Sequence, residues 1–415
     1  MYDIIVVGGG AAGMLAAGIA AKSGAKVLIC ERNEKVGRKL FITGKGRCNL
    51  TNNCEVAQVL DNIPTGSKFL YSALNGFSPS DVMSFFTSLG VPLKTERGGR
   101  VFPVSDKSAD IVDVLRRFIR DSGVIFKNER VSGLLASGGR INGVSTYDGG
   151  AIHCGAVILA TGGMSYPATG STGDGYKMAE ELGHTVTALR GSLVPLIAQP
   201  ELCTALQGLT LKNVRISVFD GGKKPVFTDF GELLFTHFGL SGPLALTASA
   251  HMRSFDKKNY HIFIDLKPAL DEKKLDLRIL RDFDKYKSRD FSNALGDLLS
   301  KSMISAFIER SGISPETKVH AITREQRQGL VRLFKEFRID IDGPRPVEEA
   351  IITSGGIKLS EINPKTIESR LVSGLYFAGE IIDADAYTGG FNLQIAWSTA
   401  HAAGTAAAKS SNGKG

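Results

Sequence analysis

An apolar run, Ile4-Ile-Val-Val7, leads directly into Gly8-Gly9-Gly10-Ala11-Ala12-Gly13, and Glu31 stands one strand further on. The three spaced glycines do different work. Gly8 permits a tight turn, Gly10 lets backbone approach a diphosphate, and Gly13 lets a helix pack closely on the preceding strand. An acid closing the second strand can accept both hydroxyls of a ribose. The chemistry is capture of a dinucleotide, its diphosphate resting on helix N-terminal N–H groups. Gly8, Gly10, Ala11, Ala12, Gly13, Glu31 and Arg32 are the candidate contacts.

For these residues to converge, 3–7 must be a buried parallel strand, 11–23 a helix and 26–30 a second strand. Residues 4–21 are uncharged and long enough to be mistaken for a membrane span. Three successive glycines would break such a helix near its start, so the run reads as a buried βα unit with no membrane association. No charged leader precedes it, and a signal peptide is not expected.

The chain has 415 residues, enough for two or three domains with ample cores. Its five cysteines (Cys30, Cys48, Cys54, Cys154 and Cys203) and seven histidines show no metal-ligand spacing. That pattern argues against structural zinc or iron–sulfur clusters and suits a reducing cytoplasm. The formal net charge is +8. Between Lys22 and Arg47, eight basic residues face two acids. Some of this excess can neutralise the cofactor diphosphate; the rest is either solvated or the footprint of a polyanionic substrate.

Residues 35–53 form a polar, glycine-rich loop without helical or strand period, expected to wrap a ligand. Helices follow at about 79–89 and 109–122. A hairpin at 131–136 and 140–147 precedes a buried strand at 156–160, which stops at Thr161-Gly162-Gly163. From about residue 190 the texture changes. Short strands are expected at 214–219, 225–228, 233–235 and 261–266, and charged amphipathic helices at 271–312 and 323–338. The simplest organisation is an α/β domain (1–190 and 348–415) split by an insert (191–347), with a helical part at about 270–315. The tail after Lys409 reads as disordered.

Three distant segments would complete an FAD site: the fingerprint with Glu31, the strand ending at Thr161-Gly162, and Leu375-Tyr-Phe-Ala-Gly379-Glu380, followed by Asp383 and Gly389-Gly390-Phe391-Asn392-Leu393. Either Glu380 or Asp383 would meet the ribityl chain. A helix from about 391 to 409 would direct its N-terminal dipole at the pyrimidine end of the flavin and favour negative charge there. No second fingerprint exists, so the reductant, NADH or NADPH, would dock transiently.

The blocks Thr43-Gly-Lys-Gly-Arg47-Cys48-Asn49-Leu-Thr51-Asn52, Gly162-Gly-Met-Ser165-Tyr166-Pro167, Leu234-Phe-Thr236-His237-Phe-Gly239-Leu-Ser241-Gly242-Pro243 and Gly379-Glu380 through Gln394 carry a resemblance. In these blocks the chain resembles the BaiN/YhiN-type bacterial FAD-dependent oxidoreductases over essentially its whole length. The resemblance implies a Rossmann-like FAD-binding domain interrupted by a β-barrel-like insert carrying a helical subdomain. It adds Lys39, Gly44, Arg47, Cys48 and Asn49 to the cofactor candidates. It also implies reduction of activated C=C bonds: a steroid enone in one branch, uracil of large-subunit ribosomal RNA in another. Both substrates place the alkene in conjugation with a carbonyl. Hydride adds to the β carbon, an acid protonates the α carbon, and donors near the carbonyl stabilise the enolate.

Cys48 and His237 are the candidate acids, each with a plain structural alternative: a packed small residue and an ordinary hydrogen-bonded histidine. Tyr166 and Asn392 are candidates for positioning substrate. Three functions are therefore weighed: an rRNA-modifying flavoenzyme, with Lys35, Arg38, Lys39, Lys45 and Arg47, apart from whichever of them serve the FAD, touching RNA phosphate; a small-molecule ene-reductase; and a non-catalytic flavin or RNA binder. The first is favoured on the basic excess. Oligomeric state is not readable from the sequence.

Overall fold

The computed structural model describes residues 1–412. The chain forms two compact units: Met1–Ser192 together with the chain from Val347 onward, and Leu193–Pro346.

The first unit is built on a seven-stranded sheet. Its parallel part runs Ile125–Asn128, Val27–Glu31, Tyr2–Val7, Ala151–Leu159. Unbroken apolar runs such as Ile4–Val7 and Val27–Cys30 are wholly buried, as strands covered on both faces must be. Ala151–Leu159 is long enough to serve two partners on one edge. Its start pairs antiparallel with Arg140–Thr146, while its end pairs in parallel with Leu375–Phe377. A strand more than 200 residues away in sequence thereby joins the sheet, with Ala151–Leu159 between it and the fingerprint strand. The fingerprint helix (Ala11–Lys22) and the C-terminal helix (Phe391–Asn412) are rich in Ala and Gly and touch backbone to backbone: a Cβ on Gly404 would lie 2.6 Å from Ala16 O.

The second unit is a closed antiparallel barrel. Its strands are Leu196–Ala198, Gly239–Ser241, Phe227–Thr236, Thr210–Phe219, Tyr260–Asp265 and Phe337–Pro344, the last returning to the first. Alternate residues (Val214, Ile216 and Val218; Ile262 and Ile264; Phe337, Ile339 and Ile341) fill the interior. Helices Glu272–Lys285, Lys301–Ser311 and Arg324–Lys335 share that core, with Phe307 and Phe334 at 4.3 Å between ring centroids.

Several expectations need correction. The region expected to be helical to residue 338 stops at Lys335, because Phe337, Ile339 and Ile341 switch to a period of two. The stretch 271–312 is two helices rather than one. The strands expected at 225–228 and 233–235 are one ten-residue strand. The final helix continues past Lys409 to Asn412; the rest of the tail lies outside the described residues. The stretch 35–53 is not wholly irregular, since Arg38–Ile42 forms a short helix followed by a 3-10 turn.

Four histidines sit where burial disfavours their charge. His251, stacked on Phe227 at 4.4 Å and near Arg253, is pushed down to about 4, and His184, His261 and His401 also lie below the ordinary value. In the unfolded chain they take up protons as pH falls through about 6.5, whereas the folded chain resists until lower pH. Stability present above that value is therefore lost on acidification, for His251 between about 6.5 and about 4. The melting temperature should fall steadily below about pH 6.5, and His251→Gln should flatten part of the slope. A melting profile that stays level or rises over this range would contradict the argument.

Candidate cofactor and active site

The glycines of the fingerprint separate into two kinds. Gly8 has φ +104°, and a Cβ there would lie 2.5 Å from Ala160 O; a Cβ on Gly13 would lie 1.9 Å from Gly8 O. Both are required by the fold itself. At Gly10, φ is −78° and a Cβ would meet nothing within 4 Å. The fingerprint helix starts at Gly10 with no side chain capping it, and its first backbone bond runs from Met14 N–H to Gly10 O at 3.0 Å. The N–H groups of its first turn thus lack intrahelical partners. Open space before an uncapped helix N-terminus is what a diphosphate needs. The residues present fit a dinucleotide.

Glu31 closes the second strand and is 8% exposed. Its carboxylate accepts from Gly9 N (2.7 Å) through one oxygen and from Asn33 N (2.8 Å) and Asn33 Nδ2 (2.6 Å) through the other. It therefore braces the glycine turn, and Oε2 keeps acceptor capacity for a ribose hydroxyl. Arg32 reaches Thr172 Oγ1 at 2.7 Å and Asp174 at 3.3 Å, tying this strand end to the start of the short helix Asp174–Glu180.

The three distant segments meet. Ala160 N donates to Val7 O (2.9 Å) and Ala378 N to Leu159 O (3.0 Å), so the second and third segments end level with the first. Gly379 packs against the fingerprint helix, where its Cβ would lie 2.9 Å from that of Ala12. Gly162 is left-handed at φ +73°. Thr161, beside it, packs against Gly175, where a Cβ would fall 2.0 Å from Thr161 Oγ1.

Glu380 is the hub of a polar cluster. It accepts from Lys39 Nζ (2.6 Å), Ser165 Oγ (3.1 Å) and Thr353 N (2.8 Å), while Lys39 also donates to Ser165 Oγ at 2.6 Å. The lysine and its carboxylate partner are 341 residues apart, which is why no local signal linked them. Asp383 is half-buried, and its backbone N donates to Ile357 O at 3.2 Å.

The loop containing residues 43–52 folds onto the turn that starts the C-terminal helix. Gly44 and Lys45 are left-handed. Asn52 Nδ2 donates to Gly389 O at 3.0 Å, and the Asn49 amide accepts from Gly390 N at 2.9 Å. Gly390 has φ +98° and would clash with Thr51 through any Cβ. Asn392 accepts from Ala386 N (2.9 Å) and donates to Ala386 O (2.8 Å), shaping this turn with its own side chain; Leu393 beside it is half-buried. That engagement leaves Asn392 as a builder of the turn rather than the substrate-positioning group expected of it.

The two candidate acids differ. Cys48 is 0% exposed, and burial pushes its thiol up to about 12. A thiol that is both enclosed and this weak an acid is a packing residue, which corrects its assignment as proton donor. His237 is exposed, and with Phe238 it forms the two-residue tip of the hairpin joining Phe227–Thr236 to Gly239–Ser241. Its carbonyl accepts from Thr204 Oγ1 at 3.1 Å, which steadies the tip while leaving the ring on the surface. Tyr166 is left-handed at φ +53° and 37% exposed.

The basic run is only partly available. Arg47 is paired with Glu96 and Asp106 and lies 4.1 Å over the Phe102 ring, Lys39 holds Glu380, and Arg38 donates to Asn33 Oδ1 at 2.8 Å. Arg47 and Lys39 are thus structural cations, contrary to the expectation that they meet phosphate. Sequence reading also missed Asp385, fully buried and accepting from Ser192 Oγ (3.2 Å) and Ser354 Oγ (3.0 Å). The two acids in Asp383-Ala-Asp385 were its one available signal. Among the described residues no three His, Cys, Asp or Glu side chains are grouped to hold a metal ion, and no helix is long and apolar enough to cross a membrane.

Residues 2–406 match the family model described as the HI0933-like protein Rossmann domain. The chain is 31% identical over 414 residues, 99% of its length and 100% of the relative's, to the 3-dehydro-bile acid delta(4,6)-reductase of Clostridium scindens. It is also 31% identical over 405 residues, 97% of this chain and 96% of the relative, to the ribosomal RNA dihydrouridine synthase of Escherichia coli. Among solved structures, a 3-ketosteroid delta1-dehydrogenase from Sterolibacterium denitrificans superposes with a TM-score of 0.54 at 14% identity, covering 99% of each chain. At that identity the likeness is one of fold.

Proposed function

From the premise that the chain belongs to the HI0933-like Rossmann family, we propose that it is an FAD-dependent oxidoreductase reducing a C=C bond conjugated to a carbonyl, with uracil in 23S ribosomal RNA as substrate. The observation that carries the cofactor assignment is the open approach to Gly10 at the uncapped start of the fingerprint helix. FAD would lie with its diphosphate there and its ribose at Glu31. Glu380 or Asp383 would meet the ribityl chain, and the start of helix Phe391–Asn412 would face the pyrimidine end of the flavin.

When bound, FAD supplies hydride taken from NAD(P)H. The chain's own residues do the rest. Gly389 and Gly390 form the turn that opens helix Phe391–Asn412, at whose N-terminus negative charge is favoured. Lys39 holds the Glu380 carboxylate and Ser165 in one orientation. His237, exposed at its hairpin tip, is the proton donor to the substrate α carbon. With Cys48 enclosed, it is the acid left from the sequence candidates.

The RNA reading is supported by the net charge of +8 and by the printed activity of the E. coli relative. The second reading, a small-molecule enone reductase, is supported equally by the full-length match to the bile acid reductase. Deleting the gene decides between them. Mass analysis of nucleosides from the deletion strain's 23S rRNA should show loss of a dihydrouridine, restored by the wild-type gene. Unchanged rRNA together with enone reduction by the purified protein would establish the second reading instead.

A further inference from the structure

We propose that a pocket formed by residues 34–36, just beyond Glu31, the second half of helix Ser108–Asp121 and the edge strand Ile125–Asn128 docks a single-stranded segment of the RNA substrate. The inference rests on the rRNA reading above and adds where the strand is held. The pocket has a volume of about 510 Å³, room for one nucleotide. It is lined by the cations Lys35, Arg116, Arg117 and Arg120 and by the apolar Phe126 and Ile119.

The helix explains this layout. Ile111, Leu115 and Phe118 face the core, so Arg116, Arg117 and Arg120 are left on the solvent side, one turn of cations. Two acids, Glu34 and Asp113, share the lining and leave it with a net positive charge of two, and Arg120 pairs with Asp121 outside it at 2.9 Å, both side chains largely exposed. The Arg116–Asp113 pair, at 3.6 Å with both side chains more than half exposed, offers little resistance to a competing phosphate. Among the described residues Lys35 and Arg117 have no carboxylate within ion-pair distance.

Phe126 belongs to the outermost strand of the sheet and is 40% exposed, so its ring is open to a stacking partner. A ring framed by arginines is the pattern that binds single-stranded nucleic acid: the bases stack, and the guanidinium groups take the phosphates. None of the lining residues belongs to the cofactor candidates, and the cations committed to Glu380, Glu96 and Asp106 are elsewhere. The charge excess that the cofactor loop uses up internally is therefore replaced here by one facing solvent.

The test uses FAD-loaded protein, a labelled single-stranded rRNA fragment and NAD(P)H, with variants Arg116→Ala/Arg120→Ala and Phe126→Ala. The double variant should weaken RNA binding about tenfold or more and reduce the log–log salt slope by about 1.4, two phosphate contacts at about 0.7 each. Phe126→Ala should weaken binding about fivefold or more with the slope unchanged. Both should raise KM for RNA and leave kcat, FAD content and melting temperature as in the wild type. If the wild type reduces rRNA while both variants bind it with unaltered affinity and slope, the pocket is not the docking site and the rRNA reading stands. A rise in KM for NAD(P)H alone would assign the pocket to a free dinucleotide and overturn the proposal. Failure of the wild type itself to bind or reduce RNA would remove the rRNA reading, and the proposal with it.

Discussion

Gly10→Val protein should fold normally and purify without colour. With φ −78° and nothing within 4 Å of a Cβ, Gly10 can take a branched side chain without strain in the free protein. The side chain would then occupy the space through which a diphosphate reaches the N–H groups of the helix start. Overpacking costs about 1–3 kcal/mol, and each charged hydrogen bond lost adds about 1.5–3 kcal/mol. FAD affinity should drop more than about a hundredfold. Absorbance near the flavin maximum, measured beside a melting curve, tests this directly. Gly13→Val is the contrast: its Cβ would fall 1.9 Å from Gly8 O, so the fold itself should suffer. Full flavin occupancy in a well-folded Gly10→Val protein would remove the fingerprint from the cofactor assignment.

The second large effect is expected at His237. A general acid contributes about 10²- to 10⁴-fold to rate, so His237→Gln should lower kcat by at least about a hundredfold. Because its ring is exposed on a hairpin tip, the melting temperature, FAD content and RNA affinity should hardly move. The readout that separates catalysis from structure is the split between steps: kcat should fall while KM for RNA and the rate of flavin reduction by NAD(P)H stay as in the wild type. A kcat within about threefold of wild type would be far short of a general acid's share and would place the donor elsewhere, with Tyr166 the next residue to test.

How much of this was legible in the sequence depended on the range of the interaction. The fingerprint was readable because every demand it meets is local: a turn, a close approach, a strand end and a helix start within about thirty residues. The alternation of Val214, Ile216 and Val218 likewise announced a strand with one buried face. Element ends were less readable where patterns abut, as at Lys335 and Phe337, where a charged helix runs directly into a charged strand.

Side-chain roles were harder to read, because a residue type does not reveal its partner. Cys48 stood in a ligand-like loop, yet it is enclosed and its thiol is pushed up to about 12. Arg47 and Lys39 looked like phosphate contacts, but carboxylates 49, 59 and 341 residues away hold them. A cluster of cations at Lys35, Arg116, Arg117 and Arg120 is scattered in sequence and gathered only when a helix packs beside a loop.

The sequence by itself determined the dinucleotide site, the change of texture near residue 190 and the barrel's alternating strands, since each follows from backbone geometry and hydrophobic period over short stretches. Only the tertiary structure decided which charges are spent inside the molecule and which face solvent. That division depends on distances between groups tens to hundreds of residues apart, and a charge already paired with a carboxylate has less field to offer a substrate.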